Sequence, residues 1–451
     1  MYAVPLRHPC LIVTKTHVLC VLHKLSSDAR RTHMGFVKRR AYSRSNTPQE
    51  LAHGGLLREP ALQYRQSIMT TTLTHLGDMP IQKFLLDYWQ KKPLLIRNAF
   101  PNFESPLDGD ELAGLALEEE VESRIVLENG KTKWELRNGP FDEDTFAKLP
   151  ETNWTLLVQA VDQWVPEVNL LLDSFRFIPN WRLDDIMISF APDKGSVGPH
   201  FDYYDVFLLQ GVGKRHWKIG QSCDVTSEHL QGTQLQILEN FETQDEWVLE
   251  PGDMLYIPPG VAHWGIAQGD CMTYSIGFRA PSHASIVDEL SHDIAQSLNN
   301  DARFSDPYLK LQKNPGEINA DAIAQIQSII QQHFTSENIA SWFGKHMTER
   351  KYGQEEAEHE DEITADDWQE ALAEGDMLWR HPAARLAFHT KGNETQLFAD
   401  GKSIPCSREL AELVCSEGEI NWEQIKPLAE DLLDRTAITQ LINQETLLVD
   451  E

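Results

Sequence analysis

The spacing of hydrophobic positions divides the chain into stretches with different predicted structure. Between residues 80 and 175, apolar residues at helical spacing predict helices over 81–89 and 110–121, and a short apolar run predicts a strand over 93–96. Asn153 lies directly before another apolar stretch, and we expect it to cap a helix that continues to about Trp164.

A β-rich pattern replaces this mixed one between residues 183 and 280. Short runs of apolar and β-branched residues are separated by Gly and Pro turns. The predicted strands cover 186–190, 206–209, 216–219, 234–237, 254–257 and 272–278. Short strands at this spacing are typical of an antiparallel barrel or sandwich.

Helical spacing returns at residue 283 and continues to about 346, with isoleucines and leucines recurring every three or four positions. An acidic run over 355–362 predicts a solvated linker. From about residue 366 the pattern predicts a helix, a hairpin over 385–404 that turns near Gly392 and Asn393, and further helices. That order is typical of a small winged-helix-like domain. We therefore expect an α+β chain divided into 69–282, 283–350, a linker over 351–365, and 366–451.

The first 68 residues differ from the rest, since they hold 11 Lys and Arg against 3 Asp and Glu and show no sustained periodicity. Three interpretations stay open. They are translated upstream of the natural start at Met69, they are an Arg-rich targeting segment, or they are a disordered basic tail. We favour the first, because the globular pattern begins at Leu73 and needs nothing before it. N-terminal sequencing that found a start well before Met69 would contradict this preference.

Charge and cysteine content limit the possible partners and compartment. The chain carries a formal net charge of −29, so the residues after the basic extension carry −37. This acidity disfavours nucleic acid as a direct ligand and favours a basic protein partner, although solubility alone would also explain it. Six cysteines without a CxxC pair argue against a zinc ribbon or a disulfide scaffold. No apolar run reaches the ~18 residues of a membrane helix, and we expect a cytoplasmic protein.

The strongest chemical signal is a pair of separated motifs with metal-ligand spacing. Residues 198–205 read Gly-Pro-His-Phe-Asp-Tyr-Tyr-Asp, and in a strand His200 and Asp202 project from the same face. Residues 251–263 form a turn, a buried strand and a Pro-Pro-Gly bend that ends at His263. Two histidines and one carboxylate on one face, with open coordination positions, are typical of non-haem Fe(II) oxygenases.

A cationic side chain is predicted inside the same barrel. If 215–219 is a strand, Arg215, Trp217 and Ile219 share one face, and the two apolar residues indicate that this face points inward. A buried arginine needs a partner, and the carboxylate of a keto acid would accept two hydrogen bonds from it. A structural salt bridge is the alternative.

The strand that reads Asp-Ile-Met-Ile-Ser-Phe at 185–190 adds a second face. Ser189, Met187 and Asp185 alternate along it and share one side. If Ser189 helps to hold a cosubstrate carboxylate, Asp185 and Met187 line the same cavity, and Asp185 meets a cationic substrate. An equally open alternative is that Asp185 is a turn or capping residue.

These motifs together resemble the bacterial ribosomal oxygenases of the JmjC class, and within them the 50S ribosomal protein arginine 3-hydroxylase family. The resemblance also includes Trp-Gln-Lys-Lys-Pro-Leu-Leu-Ile at 89–96, Asn-Trp-Thr-Leu-Leu-Val-Gln-Ala at 153–160 and Gly-Lys-Arg-His-Trp at 213–217. It covers roughly residues 73–451.

The resemblance implies a double-stranded β-helix, the cupin or JmjC jelly roll, with a helical dimerisation region at 283–350 and a winged-helix-like C-terminal domain. It implies that His200, Asp202 and His263 bind Fe(II) and that Arg215 and Ser189 bind 2-oxoglutarate, with O₂ as the oxidant. The implied substrate is a basic large-subunit ribosomal protein, hydroxylated at the β-carbon of an arginine by a homodimeric enzyme.

Three other functions stay open. The same chemistry would serve histidyl hydroxylation or lysine demethylation. A different cupin enzyme is less favoured, because those more often carry HxH with a glutamate and a further histidine. A non-catalytic cupin binding module would need no intact set of metal ligands.

Overall fold

The computed structural model describes residues 73–128, 134–299, 301–351 and 362–449. The predicted basic extension over 1–68 and most of the predicted linker over 351–365 lie outside the described residues. The described residues form two compact units that divide between Arg279 and Ala280, with the short segment Asn180–Arg182 belonging to the second unit. The finer domain boundaries given above stay predictions.

The first unit begins with helices and short strands that cover one side of a large sheet. A two-stranded ribbon of β1 (His75–Leu76) and β2 (Met79–Pro80) leads into helix α1 (Ile81–Asp87). Three more helices follow along the chain: α2 (Gly109–Leu115), α3 (Glu143–Ala147) and α4 (Pro166–Asp173). Asp108 caps α2 with its side chain, and a proline starts α4, which are both common helix-start signals.

Nine described strands make up the large antiparallel sheet: β3 (Leu94–Ile96), β4 (Ser123–Leu127), β5 (Glu135–Asn138), β6 (Trp154–Val158), β7 (Leu183–Ala191), β8 (Val206–Ser222), β9 (Asp245–Leu249), β10 (Met254–Ile257) and β11 (Val261–Phe278). The hydrogen-bonded order is β3-β10-β8-β11-β7-β6-β4-β5, with β9 on β8.

The long strands β8 and β11 fold this sheet back on itself. The first part of β8 pairs with β10 and the end of β11, while its second part pairs with β9 and the start of β11. Leu208 and Leu255 from one half lie in the same buried apolar cluster as Trp217 and Ile219 from the other half. Two facing sheet halves around one interior confirm the predicted jelly roll.

The outer face of the larger half packs against the helices. Phe84 of α1 and Leu171 of α4 belong to one buried cluster with Phe207, Tyr256 and Ile186 of the sheet. Each such side chain contributes about 1.5–3 kcal/mol when fully buried. This layer fixes the outer face of the strands whose inner face carries the predicted site.

The helix predicted after Asn153 is wrong. Residues Trp154–Val158 are strand β6, which hydrogen-bonds between β4 and β7. Asn153 itself has a left-handed φ of 64° and caps no helix. Because β6 is buried on both faces, its sequence lacks the alternation of apolar and polar residues that normally identifies a strand.

Other predicted bounds also change. Residues 234–237 form no strand; Leu235 and Ile237 pack from a loop against Trp134. The strands predicted at 206–209 and 216–219 are parts of one continuous strand, β8. Gly213 lies between them at a register shift and has a φ of 64°. Glycine is needed there because a Cβ would lie 2.1 Å from the Asp270 carbonyl oxygen. The helix predicted over 110–121 ends at Leu115.

The second unit contains the predicted helices and hairpin. Its helices are α5 (His283–Ser297), α6 (Ala320–His333), α7 (Ser336–Thr348), α8 (Ala365–Glu374), α9 (Arg408–Ser416), α10 (Trp422–Ala429) and α11 (Leu432–Asn443). Its strands are β12 (Leu378–Arg380), β13 (Leu386–Lys391), β14 (Glu394–Ala399), β15 (Lys402–Cys406), β16 (Glu419–Ile420) and β17 (Leu447–Val449). They form two three-stranded sheets, and β13 and β14 turn at Gly392, as predicted.

No helix in the described parts of the chain has the length and apolar character needed to cross a membrane.

A buried hydrogen-bond network makes Tyr256 important for stability. Its hydroxyl donates to Asp205 at 2.6 Å and accepts from the Gln90 backbone N–H at 2.7 Å, while the Gln90 side chain donates to the same carboxylate at 2.9 Å. We expect Tyr256→Phe to lower the free energy of unfolding by about 1–3 kcal/mol, because the fully buried Asp205 carboxylate and the Gln90 backbone N–H each lose a hydrogen-bond partner. Urea unfolding followed by tryptophan fluorescence measures this, with Tyr308→Phe, 90% exposed, as the control. Equal stability of the two variants would contradict it.

Candidate active site

Three potential metal ligands converge in the first unit. His200, Asp202 and His263 each offer one ligand atom, and these atoms lie within 4.8 Å of one another. The backbones of His200 and His263 exchange hydrogen bonds of 2.8 and 3.1 Å, and the Gly260 N–H donates to the Asp202 carbonyl at 2.8 Å. The segment that carries His200 and Asp202 is therefore fixed beside the start of β11, which carries His263.

Hydrogen bonds at Nδ1 orient both imidazole rings. Nδ1 of His200 donates to the Gly198 carbonyl and Nδ1 of His263 donates to the Val261 carbonyl, each at 3.0 Å. Because a carbonyl oxygen only accepts, each ring carries its proton on Nδ1 and presents the Nε2 lone pair. Nε2 of His263 lies 3.6 Å from Oδ2 of Asp202.

The electrostatic state of this cluster suits a divalent metal. Burial, together with the neighbouring His200, lowers the pKa of His263 to about 4, so its ring is neutral at neutral pH. Two neutral imidazoles and one carboxylate form a donor set that fits Fe(II) and leaves coordination positions open for other ligands.

Arg215 lies on the inner face of β8, as predicted. Arg215, Trp217 and Ile219 are all less than 5% exposed, whereas Lys214 is exposed and pairs with Glu250. Nε and Nη2 of Arg215 are buried and have no hydrogen-bond partner among the described residues, and no ion pair there includes this side chain. The predicted alternative of a structural salt bridge is therefore not found in the described parts of the chain. The guanidinium carbon lies 5.9 Å from the centre of the Trp217 ring, and the free Nε and Nη2 groups fit the carboxylate of a ligand, which would accept both N–H groups.

Ser189 adds a hydroxyl to the same interior. It is 3% exposed, and its Oγ makes one long contact of 3.5 Å to the carbonyl of Thr273, its register partner on β11. A contact of this length is a weak hydrogen bond. The Ser189 hydroxyl can therefore turn to a ligand at little cost.

Asp185 and Met187 share the face of Ser189 on β7. Asp185 lies inside the strand, so neither a turn nor a capping role describes it. Its Oδ2 accepts from the Gln159 side chain at 2.7 Å, and Oε1 of Gln159 accepts from Arg124 at 2.9 Å. This chain of hydrogen bonds holds the buried Asp185 carboxylate in a fixed orientation.

The Tyr204 hydroxyl lies near two carboxylates, that of the candidate metal ligand Asp202 and that of the candidate substrate-binding residue Asp185. The Tyr204 side chain is 42% exposed, but desolvation of its hydroxyl end together with the charges of these two carboxylates raises the pKa of the hydroxyl. Both carboxylates therefore lie within electrostatic reach of one hydroxyl. The metal-ligand cluster and Asp185 border the same region of the barrel.

Sequence reasoning missed Thr155, Gln159 and Arg124. Thr155 lies on β6, Gln159 directly follows that strand, and Arg124 lies on the neighbouring β4. A strand assignment for 154–158 would have placed Thr155 on an inner face by alternation. The helix assignment removed that signal.

Family models match both units of the chain. A model described as "JmjC domain" matches residues 170–286, which include all the predicted site residues, from Asp185 to His263. A model described as "ROXA-like winged helix" matches residues 326–447. These matches confirm the predicted jelly roll and the winged-helix-like C-terminal domain.

Comparison with individual proteins identifies the family within the JmjC class. The Escherichia coli "Ribosomal protein uL16 3-hydroxylase" is 37% identical over 304 residues, which are 67% of this chain and 80% of that protein. A Haemophilus influenzae "Probable ribosomal oxygenase" is 44% identical over 209 residues, covering 46% of this chain and 52% of the relative. The solved structure of E. coli YcfD, a ribosomal oxygenase in complex with cobalt and 2-oxoglutarate, superposes with a TM-score of 0.75 at 32% identity and covers 84% of this chain and 100% of that one. Identity and coverage at this level confirm the predicted family: the chain belongs to the bacterial JmjC-type ribosomal oxygenases, the family of the ribosomal protein uL16 3-hydroxylase.

Proposed function

We propose that this protein is an Fe(II)- and 2-oxoglutarate-dependent hydroxylase of a large-subunit ribosomal protein. One observation carries the proposal: the His200–Asp202–His263 cluster lies in the same jelly roll as the buried Arg215, whose Nε and Nη2 lack a hydrogen-bond partner among the described residues. The cluster offers three metal ligands, and the guanidinium can bind a carboxylate. The relationship to the uL16 3-hydroxylase supplies the substrate class.

Each residue has a defined role in this proposal. His200 and His263 hold Fe(II) through Nε2, and Asp202 holds it through its carboxylate. Arg215 and Ser189 hold the distal carboxylate of 2-oxoglutarate. When bound, the iron and cosubstrate supply the oxidation: one O₂ atom enters the succinate formed with CO₂, and the other enters a substrate C–H bond as hydroxyl. The chain itself orients these groups and keeps the reacting region away from water.

The proposed substrate side chain is an arginine, hydroxylated at its β-carbon. Asp185 would accept from the guanidinium, and Met187 would line the same cavity. The charge of −37 on residues 69–451 attracts a basic ribosomal protein and repels nucleic acid. A cytoplasmic location, where ribosomal proteins are made, fits this substrate.

Asp185→Asn is expected to raise the KM for a ribosomal-protein peptide about tenfold or more. The neutral amide loses the charge-assisted hydrogen bond to the guanidinium, and such bonds contribute about 1.5–3 kcal/mol. Mass spectrometry of the peptide at a series of concentrations gives KM and kcat. Asp184→Asn is the matched control, because Asp184 pairs with Arg279 rather than sharing the face of Ser189. A normal KM in Asp185→Asn would refute the role of this residue.

We also propose a homodimer formed through the helices of the second unit. Ile323, Ile326, Ile329 and Ile330 of α6 are 40–49% exposed, and α6 has no buried residue. A second copy would cover this apolar face and gain about 1 kcal/mol for each isoleucine, since full burial of an exposed one contributes about 1.5–3 kcal/mol and these are already more than half buried. Light scattering should give a dimer mass for the parent, a monomer mass for Ile326→Glu with Ile330→Glu, and a dimer mass for the control Leu433→Glu. A monomeric parent would contradict the homodimer.

The test of the proposed function compares peptides under one set of conditions. Purified protein with Fe(II), 2-oxoglutarate and O₂ receives an arginine-containing segment of a large-subunit ribosomal protein, a histidine-containing segment, or a methyl-lysine peptide. We expect succinate and one added oxygen atom with the first. Oxygen on the histidine segment would change the substrate class, and formaldehyde from the third would indicate demethylation. The absence of succinate with every peptide would refute the proposed chemistry.

A further inference from the structure

Thr155 has a buried hydroxyl that the fold itself does not use. The residue lies in β6 and is 0% exposed, and its Oγ1 has no hydrogen-bond partner among the described residues. Burying a hydroxyl without a partner is unfavourable, and such groups are rare in native proteins. A bound ligand that reached this hydroxyl would supply the missing partner.

The strand register places Thr155 beside the predicted cosubstrate residues. Leu157 pairs with Ser189, so Thr155, two residues earlier on β6, shares the face of Ser189 and lies next to Ala191. Ala191 packs in one cluster with Ala267, and Ala267 is the register partner of Arg215.

The side chains between these polar groups are small. Ala191 and Ala267, which lie between Thr155 on one strand and Arg215 on another, each carry only a methyl group, so no bulky side chain from these two positions separates the polar groups. The unpartnered atoms of Thr155 and Arg215, and the weakly bonded Ser189 hydroxyl, therefore border one region of the interior.

We propose that Thr155 is a third binding residue for the distal carboxylate of 2-oxoglutarate; this inference rests on the cosubstrate named under the proposed function. A carboxylate accepts about four hydrogen bonds through its two oxygens. Nε and Nη2 of Arg215 supply two donors, and Ser189 supplies a third. The Thr155 hydroxyl supplies the fourth donor. The carboxylate then accepts four hydrogen bonds, and the buried Oγ1 gains a partner.

Thr155→Val keeps the branched shape and removes the hydroxyl, so it tests this role directly. Anaerobic titration of the Fe(II) protein, followed by the absorption of the keto-acid complex, gives the Kd of each keto acid. We expect the variant to bind 2-oxoglutarate about 10- to 100-fold more weakly, because a hydrogen bond to a charged group is lost. Binding of 2-oxopentanoate, which lacks the distal carboxylate, should stay unchanged. Thr155→Ser keeps the hydroxyl and should bind 2-oxoglutarate nearly as the parent does.

Thermal stability without ligand gives an independent readout. Since Thr155→Val removes an unsatisfied buried hydroxyl, the ligand-free variant should melt at the same temperature as the parent or higher. The control is Thr395→Val in the second unit, where the hydroxyl is hydrogen-bonded to Thr390 at 3.1 Å. This control should melt at a lower temperature and bind 2-oxoglutarate normally.

Two results would overturn the role of Thr155. One is parent-like binding of 2-oxoglutarate by Thr155→Val. The other is equal weakening of 2-oxoglutarate and 2-oxopentanoate, which would indicate a general distortion of the pocket. Failure of the parent protein to bind 2-oxoglutarate would instead refute the proposed function, and the role of Thr155 with it.

Discussion

Asp202→Ala is expected to abolish Fe(II) binding and hydroxylation. Asp202 is the one anionic ligand of the cluster, and without it two neutral imidazoles remain to hold the ion. A bound metal supplies several kcal/mol of stabilisation to the reaction, so we expect turnover to fall by at least about 10³-fold. Elemental analysis after reconstitution under argon measures bound iron, and succinate formation measures turnover.

The matched control for this variant is Asp224→Ala. Asp224 is an exposed aspartate of the same unit, and its side chain accepts hydrogen bonds from Thr226 rather than facing the cluster. It should keep one iron per chain and normal turnover. An Asp202→Ala protein that also kept one iron per chain would contradict the assignment of the metal site.

Arg215→Met is expected to lower the affinity for 2-oxoglutarate about 10²- to 10³-fold. Removing one partner of a buried, hydrogen-bonded ion pair typically costs about 3–5 kcal/mol, and the lower part of that range, about 3–4 kcal/mol, corresponds to the expected loss of affinity. The ligand-free variant should be as stable as the parent or more stable, because a buried cation with unpartnered Nε and Nη2 is removed. Calorimetry with Mn(II) in place of iron measures the affinity, and thermal unfolding measures the stability.

Arg215→Lys separates charge from geometry. Lysine keeps the positive charge but lacks the planar pair of N–H groups that a carboxylate accepts together. Its affinity for 2-oxoglutarate should therefore lie between those of the parent and Arg215→Met. A destabilised ligand-free Arg215→Met protein with normal affinity for 2-oxoglutarate would indicate that Arg215 is structural.

Local periodicity was sufficient to predict the inward faces of β7 and β8. Side chains alternate in a strand, so the sequence order of Arg215, Trp217 and Ile219 already places them together once a strand is assumed. The same rule joined His200 to Asp202, although the structure forms an isolated bridge at His200 and no strand through Asp202. The spacing of the second motif then identified His263, although the two segments meet only through long-range pairing.

Features set by distant partners could not be predicted. Strand β6 was assigned as a helix because burial on both faces removed its alternation, and this concealed Thr155. The lack of hydrogen-bond partners at Nε and Nη2 of Arg215 also depends on which side chains the fold brings near it, and a structural salt bridge was an open alternative from the sequence. The orientation of Asp185 depends on Gln159 and Arg124, which lie far from it in the chain.

The most direct test of the central claim is mass spectrometry of ribosomal proteins from cells that lack the gene, before and after treatment with the purified protein, Fe(II), 2-oxoglutarate and O₂. We predict one added oxygen atom on one arginine of a large-subunit protein, and no addition with His200→Ala. Unmodified ribosomal proteins after treatment with the parent protein would contradict the account.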